Sequence, residues 1–166
     1  MKGVIKMSRG ARVILEKVCY HIINRGNQKQ PIFFDDSDKE KYLEILGHYK
    51  KRFAFRILGY CLMPNHIHLI LEPRYPYDLA KFMQGLTQAY TVWFNNKYEK
   101  VGRLWQGRFK SMVIAKDNYL LDCIYYIEMN PVRARLASSP AGYIWSSYRN
   151  RVFGNKNKLL DIPDSS

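Results

Sequence analysis

Apolar positions along this chain alternate between two periods, and the changes mark its elements. VCYHII (Val18 to Ile23) is rich in β-branched and aromatic residues and ends at NRGNQKQP, a polar stretch that reads as a loop, so it predicts a first strand. In SDKEKYLEILGHYKKRF the period lengthens: Tyr42, Leu43, Ile45, Leu46, Tyr49 and Phe53 recur at helical spacing, and Ser37 followed by Glu40 has the form of a capping box. That predicts an amphipathic helix of about four turns. FRILGYCL (Phe55 to Leu62) and HIHLILE (His66 to Glu72) read as strands joined by MPN, whose Pro64 and Asn65 favour a turn and hence an antiparallel hairpin. Beyond PRYPYD, Leu79, Phe82, Met83, Leu86, Tyr90, Trp93 and Phe94 trace one face of a long second helix. RFKSMVIA (Arg108 to Ala115), after Gly102, is a fourth strand. DNYLLDCIYYIEMNP is a third helix, capped by Asp117 or Asn118 and ended near Asn130 because the residue before a proline is pushed out of the α region.

The first six elements, strand–helix–strand–strand–helix–strand, follow the split βαβ pattern of a ferredoxin-like antiparallel sheet (βαββαβ), an α+β fold to which the third helix is an addition. A length of 166 residues suits one domain, expected over residues 1–150, with AGYIWSSYRN packing back on it and residues 151–166 as a loose tail.

Charge narrows the partners. Lysine plus arginine outnumber aspartate plus glutamate 27 to 14, a formal +13, which favours a polyanion. No segment approaches the roughly 18 apolar residues of a spanning helix. The basic start MKGVIKMSRGARVI lacks the apolar core of a secretory signal, so no membrane partner is expected and the cytoplasm is the expected location. Cys19, Cys61 and Cys123 lie far apart in apolar stretches with no CxxC pair, which excludes a disulfide framework and reads as reduced core residues.

Two histidines break the apolar run CLMPNHIHLI. On a strand His66 and His68 share a face, about 7 Å apart along it, while Ile67, Leu69 and Leu71 take the other. Two imidazoles so placed can converge on one metal ion. His-x-His alone is also compatible with surface or core histidines, so a third ligand and a reactive group are needed. The third helix offers both: Leu120, Cys123, Ile124 and Ile127 form its apolar stripe, and Tyr126 and Asn130 lie one turn apart along one flank of it. Tyr125 points further away.

In this order MPNHIHLILEP, WQGRFKS and YIEMNPVRARL, with WSSYR near the end and NRGNQKQPIFFDD near the start, closely resemble the REP-associated tyrosine transposases and their relatives, the single-tyrosine HUH transposases of insertion sequences. The likeness covers roughly Val13 to Arg149. It implies the HUH endonuclease architecture over residues 1–150 and metal-dependent cleavage and rejoining of single-stranded DNA. By motif the metal ligands fall on His66 and His68, with Asn130 completing the set, and the nucleophile falls on Tyr126. Where relatives commonly carry a basic residue before the tyrosine and a histidine two after it, this chain has Tyr125 and Glu128. Tyr125 therefore remains an alternative nucleophile, and Glu128 an alteration of DNA contact or metal affinity.

The resemblance implies attack by tyrosine on a phosphodiester, giving a 5′-phosphotyrosine link and a free 3′-hydroxyl. That link conserves the bond's energy, so no nucleotide cofactor is expected, in keeping with the lack of a phosphate-binding glycine loop. Two histidines and an amide would accept Mg²⁺ or Mn²⁺, imidazole favouring the latter. Arg103, Trp105, Arg108, Phe109 and Lys110 interleave charge with rings, as expected where a strand is tracked and its bases stack, and Arg133 and Arg135 are placed to hold phosphates. The expected partner is single-stranded or hairpin DNA, and a homodimer is allowed because moving two DNA ends needs two turns of one site or two subunits. The competing readings are a non-cleaving hairpin DNA or RNA binding protein on the same fold, and a zinc or iron enzyme built on His-x-His.

Overall fold

The computed structural model describes residues 4–6, 18–115 and 119–164. Asp117 and Asn118, the expected caps of the third helix, lie outside the described residues. The strands are β1 (Val4–Lys6), β2 (Cys19–Arg25), β3 (Arg56–Met63), β4 (His66–Glu72) and β5 (Lys110–Ile114). They form one antiparallel sheet in the order β1-β5-β2-β4-β3, so the expected ferredoxin-like arrangement is the one observed. The hairpin of β3 and β4 is present, and β1 is an edge strand that the sequence reading lacks.

Strand alternation sorts the side chains into two cores. Tyr20, Ile22, Ile57, Leu62, Ile67, Leu69 and Leu71 pack in the core shared with α1 (Asp36–Phe53) and α2 (Leu79–Tyr98). Cys19, Cys61, Met63, Ile70 and Ile114 pack in the second core with Leu120, Cys123, Ile124 and Ile127 of α3 (Leu120–Glu128). All three cysteines are buried.

Helix ends depart from the sequence reading in two places. α1 begins two residues early: Asp35 is the cap, its side chain accepting from the Asp38 amide at 3.1 Å while Asp38 accepts from the Asp35 amide at 3.4 Å. Ser37 serves this cap, donating to Asp35 at 2.6 Å, and the box is Asp35–Asp38 rather than Ser37–Glu40. Buried Asp38 also accepts from the Tyr98 hydroxyl at 2.6 Å and pairs with Lys97 at 2.7 Å, joining α1 to the end of α2. At the other end of the fold, α3 stops at Glu128 and a short helix α4 (Asn130–Arg133) starts at once. Pro131 sits in the first turn of α4, where its missing N–H costs nothing, so the proline starts a turn as well as ending one.

The C-terminal segment covers the outer edge of β3. Leu62 N–H donates to the Trp145 carbonyl at 2.9 Å and Ser147 N–H to the Tyr60 carbonyl at 3.0 Å. Further on, Asp161 N–H donates to the Ile57 carbonyl at 2.8 Å and the Asp161 carboxylate accepts from Ile57 N–H at 2.9 Å, with Lys50 paired to that carboxylate at 2.7 Å. Residues expected as a loose tail are thus tied to the sheet. Capping the edge in this way removes a row of open backbone groups.

α3 sits close to the sheet where β3 bulges between Ile57 and Gly59. A Cβ on Gly59 would lie 3.3 Å from Ile124, so glycine is what lets the helix settle there. Gly59→Leu is expected to destabilise the fold by about 1–3 kcal/mol through overpacking, read as a lowered urea midpoint. An unchanged midpoint would show that the helix does not depend on this close approach.

Candidate active site

β4 directs His66, His68 and Ile70 to the face covered by α3, and β2 brings Arg25, Ile23 and His21 to the same face, opposite them in register. The rings of His66 and His68 are 5.0 Å apart and nearly perpendicular. His68 also meets a third imidazole: its Nδ1 lies 2.9 Å from His21 Nε2, with the rings stacked.

Hydrogen bonds fix the orientation of these rings. Asn65 donates its amide NH₂ to the Lys29 carbonyl at 3.2 Å, which turns its Oδ1 toward His66 Nδ1 at 2.7 Å. A carbonyl oxygen only accepts, so His66 Nδ1 carries the proton and Nε2 keeps the lone pair. Between His21 and His68 one ring nitrogen donates and the other accepts. Burial pushes His21 and His66 down to about 4, Arg25 adding to the effect on His66. His68 lies well below the ordinary histidine value through burial, then through the neighbouring His21, His66, Arg133 and Arg25. All three imidazoles are neutral at pH 7.

The sequence reading places neither His21 nor Asn65, which it reads only as a turn former, in the site. Alternation in VCYHII puts His21 on one face with Cys19, but only the pairing of β2 with β4, some forty-seven residues away in sequence, brings it to His68.

The helix supplies the second half. Tyr126 is 46% exposed, so its ring can be reached from solvent. The Arg133 guanidinium lies 4.2 Å from the centre of that ring, donates to Asn130 Oδ1 at 2.7 Å and also donates to the Tyr126 carbonyl. Arg133 therefore joins Tyr126 and Asn130 into one group, and its charge is felt at His68. Among the described residues the Asn130 Nδ2 is buried without a hydrogen-bond partner. Tyr125, also exposed, turns its influence on Arg151 instead. Glu128 is fully buried and accepts from Ser147 Oγ at 2.7 Å and from Arg151 Nε at 3.2 Å, so it anchors the segment after the helix.

The basic and aromatic run divides. Arg103, Arg108 and Lys110 are exposed, as is Arg135, which adopts a left-handed backbone with φ 58°. Trp105 is buried against Tyr42 and Tyr90, its Nε1 donating to Thr91 at 3.0 Å, so its ring belongs to the core rather than to a stacking surface. Phe109 is half-buried beside the exposed arginines. Among the described residues no group of three or more His, Cys, Asp or Glu is placed to hold a metal ion, which leaves two histidines and an amide as the candidate set.

The model of the family described as "Transposase IS200 like" matches residues 14–130. The chain belongs to the IS200-like transposase family. The match contains both histidines of His-x-His, Tyr125, Tyr126 and Asn130, and stops short of Arg133. This transposase is 26% identical over 125 residues to a Haemophilus influenzae protein named as a REP-associated tyrosine transposase, covering 69% of this chain and 68% of that one. In three dimensions the transposase resembles the solved structure of a REP-associated tyrosine transposase bound to a REP hairpin, with a TM-score of 0.73 and 18% identity over 96% of each chain. At that identity the likeness is one of fold. Family membership makes the chain an enzyme that acts on DNA. Among the described residues no helix is long and apolar enough to cross a membrane.

The depressed histidines set a pH dependence. An unfolded histidine binds a proton near pH 6.5, whereas the folded sites refuse it until about 4, so the unfolded state gains protons first as pH falls. In chelator-containing buffer, stability is expected to be full above about pH 6.5 and to decline down to about pH 4, and His66→Gln should make that decline shallower. Urea midpoints between pH 4 and 7.5 check this, and a flat profile in the wild type would contradict it.

Proposed function

We propose that this chain cleaves and rejoins hairpin-containing single-stranded DNA through Tyr126, with His66 and His68 holding a divalent ion, Mn²⁺ or Mg²⁺. The observation that carries this reading is the pair of neutral, oriented histidines on the sheet face against which the tyrosine-bearing helix packs.

The residues suit such an ion in stated ways. His66 is oriented through Asn65 with its Nε2 lone pair available, and His68 presents Nε2 likewise when its Nδ1–H donates to His21. Asn130 Oδ1 is occupied by Arg133, so it joins the two histidines when the guanidinium moves to a phosphate of the DNA. When bound, the ion draws charge from a phosphate oxygen of the scissile bond and stabilises the charge that develops there.

Arg133 then holds two roles in turn. In the free protein it lies over the Tyr126 ring and keeps it beside Asn130; with DNA present its fork suits a phosphate oxygen pair. A tyrosine hydroxyl titrates near 10 in general and is a weak nucleophile until it is activated. Attack forms the bond from Tyr126 Oη to phosphorus and breaks the bond from phosphorus to the 3′ oxygen. The hydroxyl proton is lost from tyrosine and one is gained by the leaving oxygen. Attack by a second 3′-hydroxyl on the phosphotyrosine reverses these changes and joins two strands, without a nucleotide cofactor. Exposed Arg103, Arg108, Lys110 and Arg135 track the backbone.

Incubation of a labelled hairpin oligonucleotide with protein and Mn²⁺ is expected to give a covalent adduct that survives denaturing electrophoresis. Tyr126→Phe should reduce it by about a thousandfold or more, Tyr125→Phe should retain it, and chelation should abolish it. An adduct that follows Tyr125, or tight metal-independent hairpin binding with no adduct at all, would overturn this mechanism; the second outcome would identify a binding protein on the same fold.

A further inference from the structure

Arg25 is the last residue of β2 and His66 the first of β4, and the two are partners in register, so both side chains rise from the rim of the sheet on the face covered by α3. Residues directly opposite on antiparallel strands hold their Cβ atoms about 5 Å apart. The backbone beneath them is fixed on both sides: Gly26 N–H donates to the Asn65 carbonyl and Gln106 N–H to the Arg25 carbonyl, each at 2.8 Å. A side-chain carbon on Gly26 would run into the Gln30 carbonyl, so glycine is what lets the chain fold back here. Asn65 serves the pair twice, its side chain orienting the His66 ring and its carbonyl holding the end of β2 beside that ring.

The Arg25 guanidinium is unspent. It is exposed, and among the described residues it pairs with no carboxylate, donates no side-chain hydrogen bond and lies over no ring. Other arginines of the fold are engaged: Arg56 pairs with Glu72 at 3.0 Å, Arg151 with Glu128 at 2.5 Å, and Arg133 holds Asn130 and the Tyr126 ring. The charge of Arg25 is felt at His66 and at His68, and at His68 Arg133 adds to it from α4. Two guanidinium groups on separate elements thus act on imidazoles whose own hydrogen-bond partners, Asn65 and His21, are neutral. Glu128, the carboxylate nearest Tyr126 in sequence, is committed to Arg151. A site of this kind is completed by an anion from outside.

We propose that Arg25 binds the non-bridging oxygens of the phosphate that Tyr126 attacks, reaching it from the sheet while Arg133 reaches it from α4. The proposal rests on the DNA-cleaving reading above and adds to it a residue that touches the reacting group. A guanidinium fork matches two phosphate oxygens, holds them in one orientation and offsets the charge they carry through the transfer. Arg25 is the ready member of the two, since Arg133 must first leave Asn130 and the tyrosine ring. Lysine at this position would keep the charge and lose the fork.

The test is a scan in which each linkage of a hairpin oligonucleotide with single-stranded flanks is made neutral in turn as a methylphosphonate, with binding read by fluorescence anisotropy in chelator. Wild type is expected to lose about tenfold in affinity at the linkage that Tyr126 attacks. Arg25→Gln should erase that loss and Arg135→Gln should keep it. With Mn²⁺ present, the adduct should form about a hundredfold more slowly in Arg25→Gln, with Arg25→Lys in between. Mn²⁺ alone, titrated by electron paramagnetic resonance without DNA, should bind Arg25→Gln at least as tightly as wild type, because a positive charge beside the histidines has gone. The urea midpoint should match wild type, as befits an exposed side chain. A neutral-linkage penalty that persists in Arg25→Gln would overturn the proposal, and so would weakened Mn²⁺ binding, which would make Arg25 a support of the histidines instead of a contact to DNA. If DNA is cut through Tyr126 and the penalty ignores Arg25, this assignment fails and the cleavage reading stands. If nothing is cut and the penalty still depends on Arg25, the cleavage reading fails and the phosphate contact stands.

Discussion

A strand covered on both faces leaves an imidazole little water, and that constraint organises this protein. β4 commits Ile67, Leu69 and Leu71 to one core and leaves His66 and His68 to the other, under α3. Being desolvated, the rings stay neutral, and being neutral they need hydrogen-bond partners, which Asn65 and His21 provide. The same helix that deprives them of water carries Tyr126 on its exposed flank. Packing and the proposed chemistry thus share one surface, and any displacement of α3 changes both.

The junction after α3 has a similar economy. Glu128, buried and bound by Ser147 and Arg151, ties the helix end to the segment that covers β3, while Arg133 on the next turn links Tyr126 with Asn130. Two arginines on successive short elements therefore act in opposite senses. Arg151 spends its charge on a buried carboxylate, and Arg133 keeps its own at the surface, where an anionic substrate can compete for it.

Much of this was legible in the sequence because it follows from period. Alternation in HIHLILE gives the shared face of His66 and His68, and the helical spacing of Leu120, Cys123, Ile124 and Ile127 gives the flank that holds Tyr126. What stayed hidden depends on pairing between distant segments. The contact of His21 with His68 needs the register of β2 on β4, and the burial of Trp105 needs the docking of its loop beside Tyr42 and Tyr90. Ser37–Glu40 misleads for a local reason: Asp35 is a stronger acceptor two residues earlier, and Asp38 is held there by Lys97 and Tyr98 from another helix.

The covering of β3 also has a history in time. Ile57 is bonded to Asp161 and Leu62 to Trp145, so the β3–β4 hairpin is synthesised long before the residues that cap its edge. On a ribosome the chain leads with an open strand and closes it only when the segment after residue 145 has emerged. Contacts of this sequence separation form late and slow the last stage of folding. The nascent protein thus passes through a stage in which β-sheet growth onto a neighbouring chain competes with its own completion.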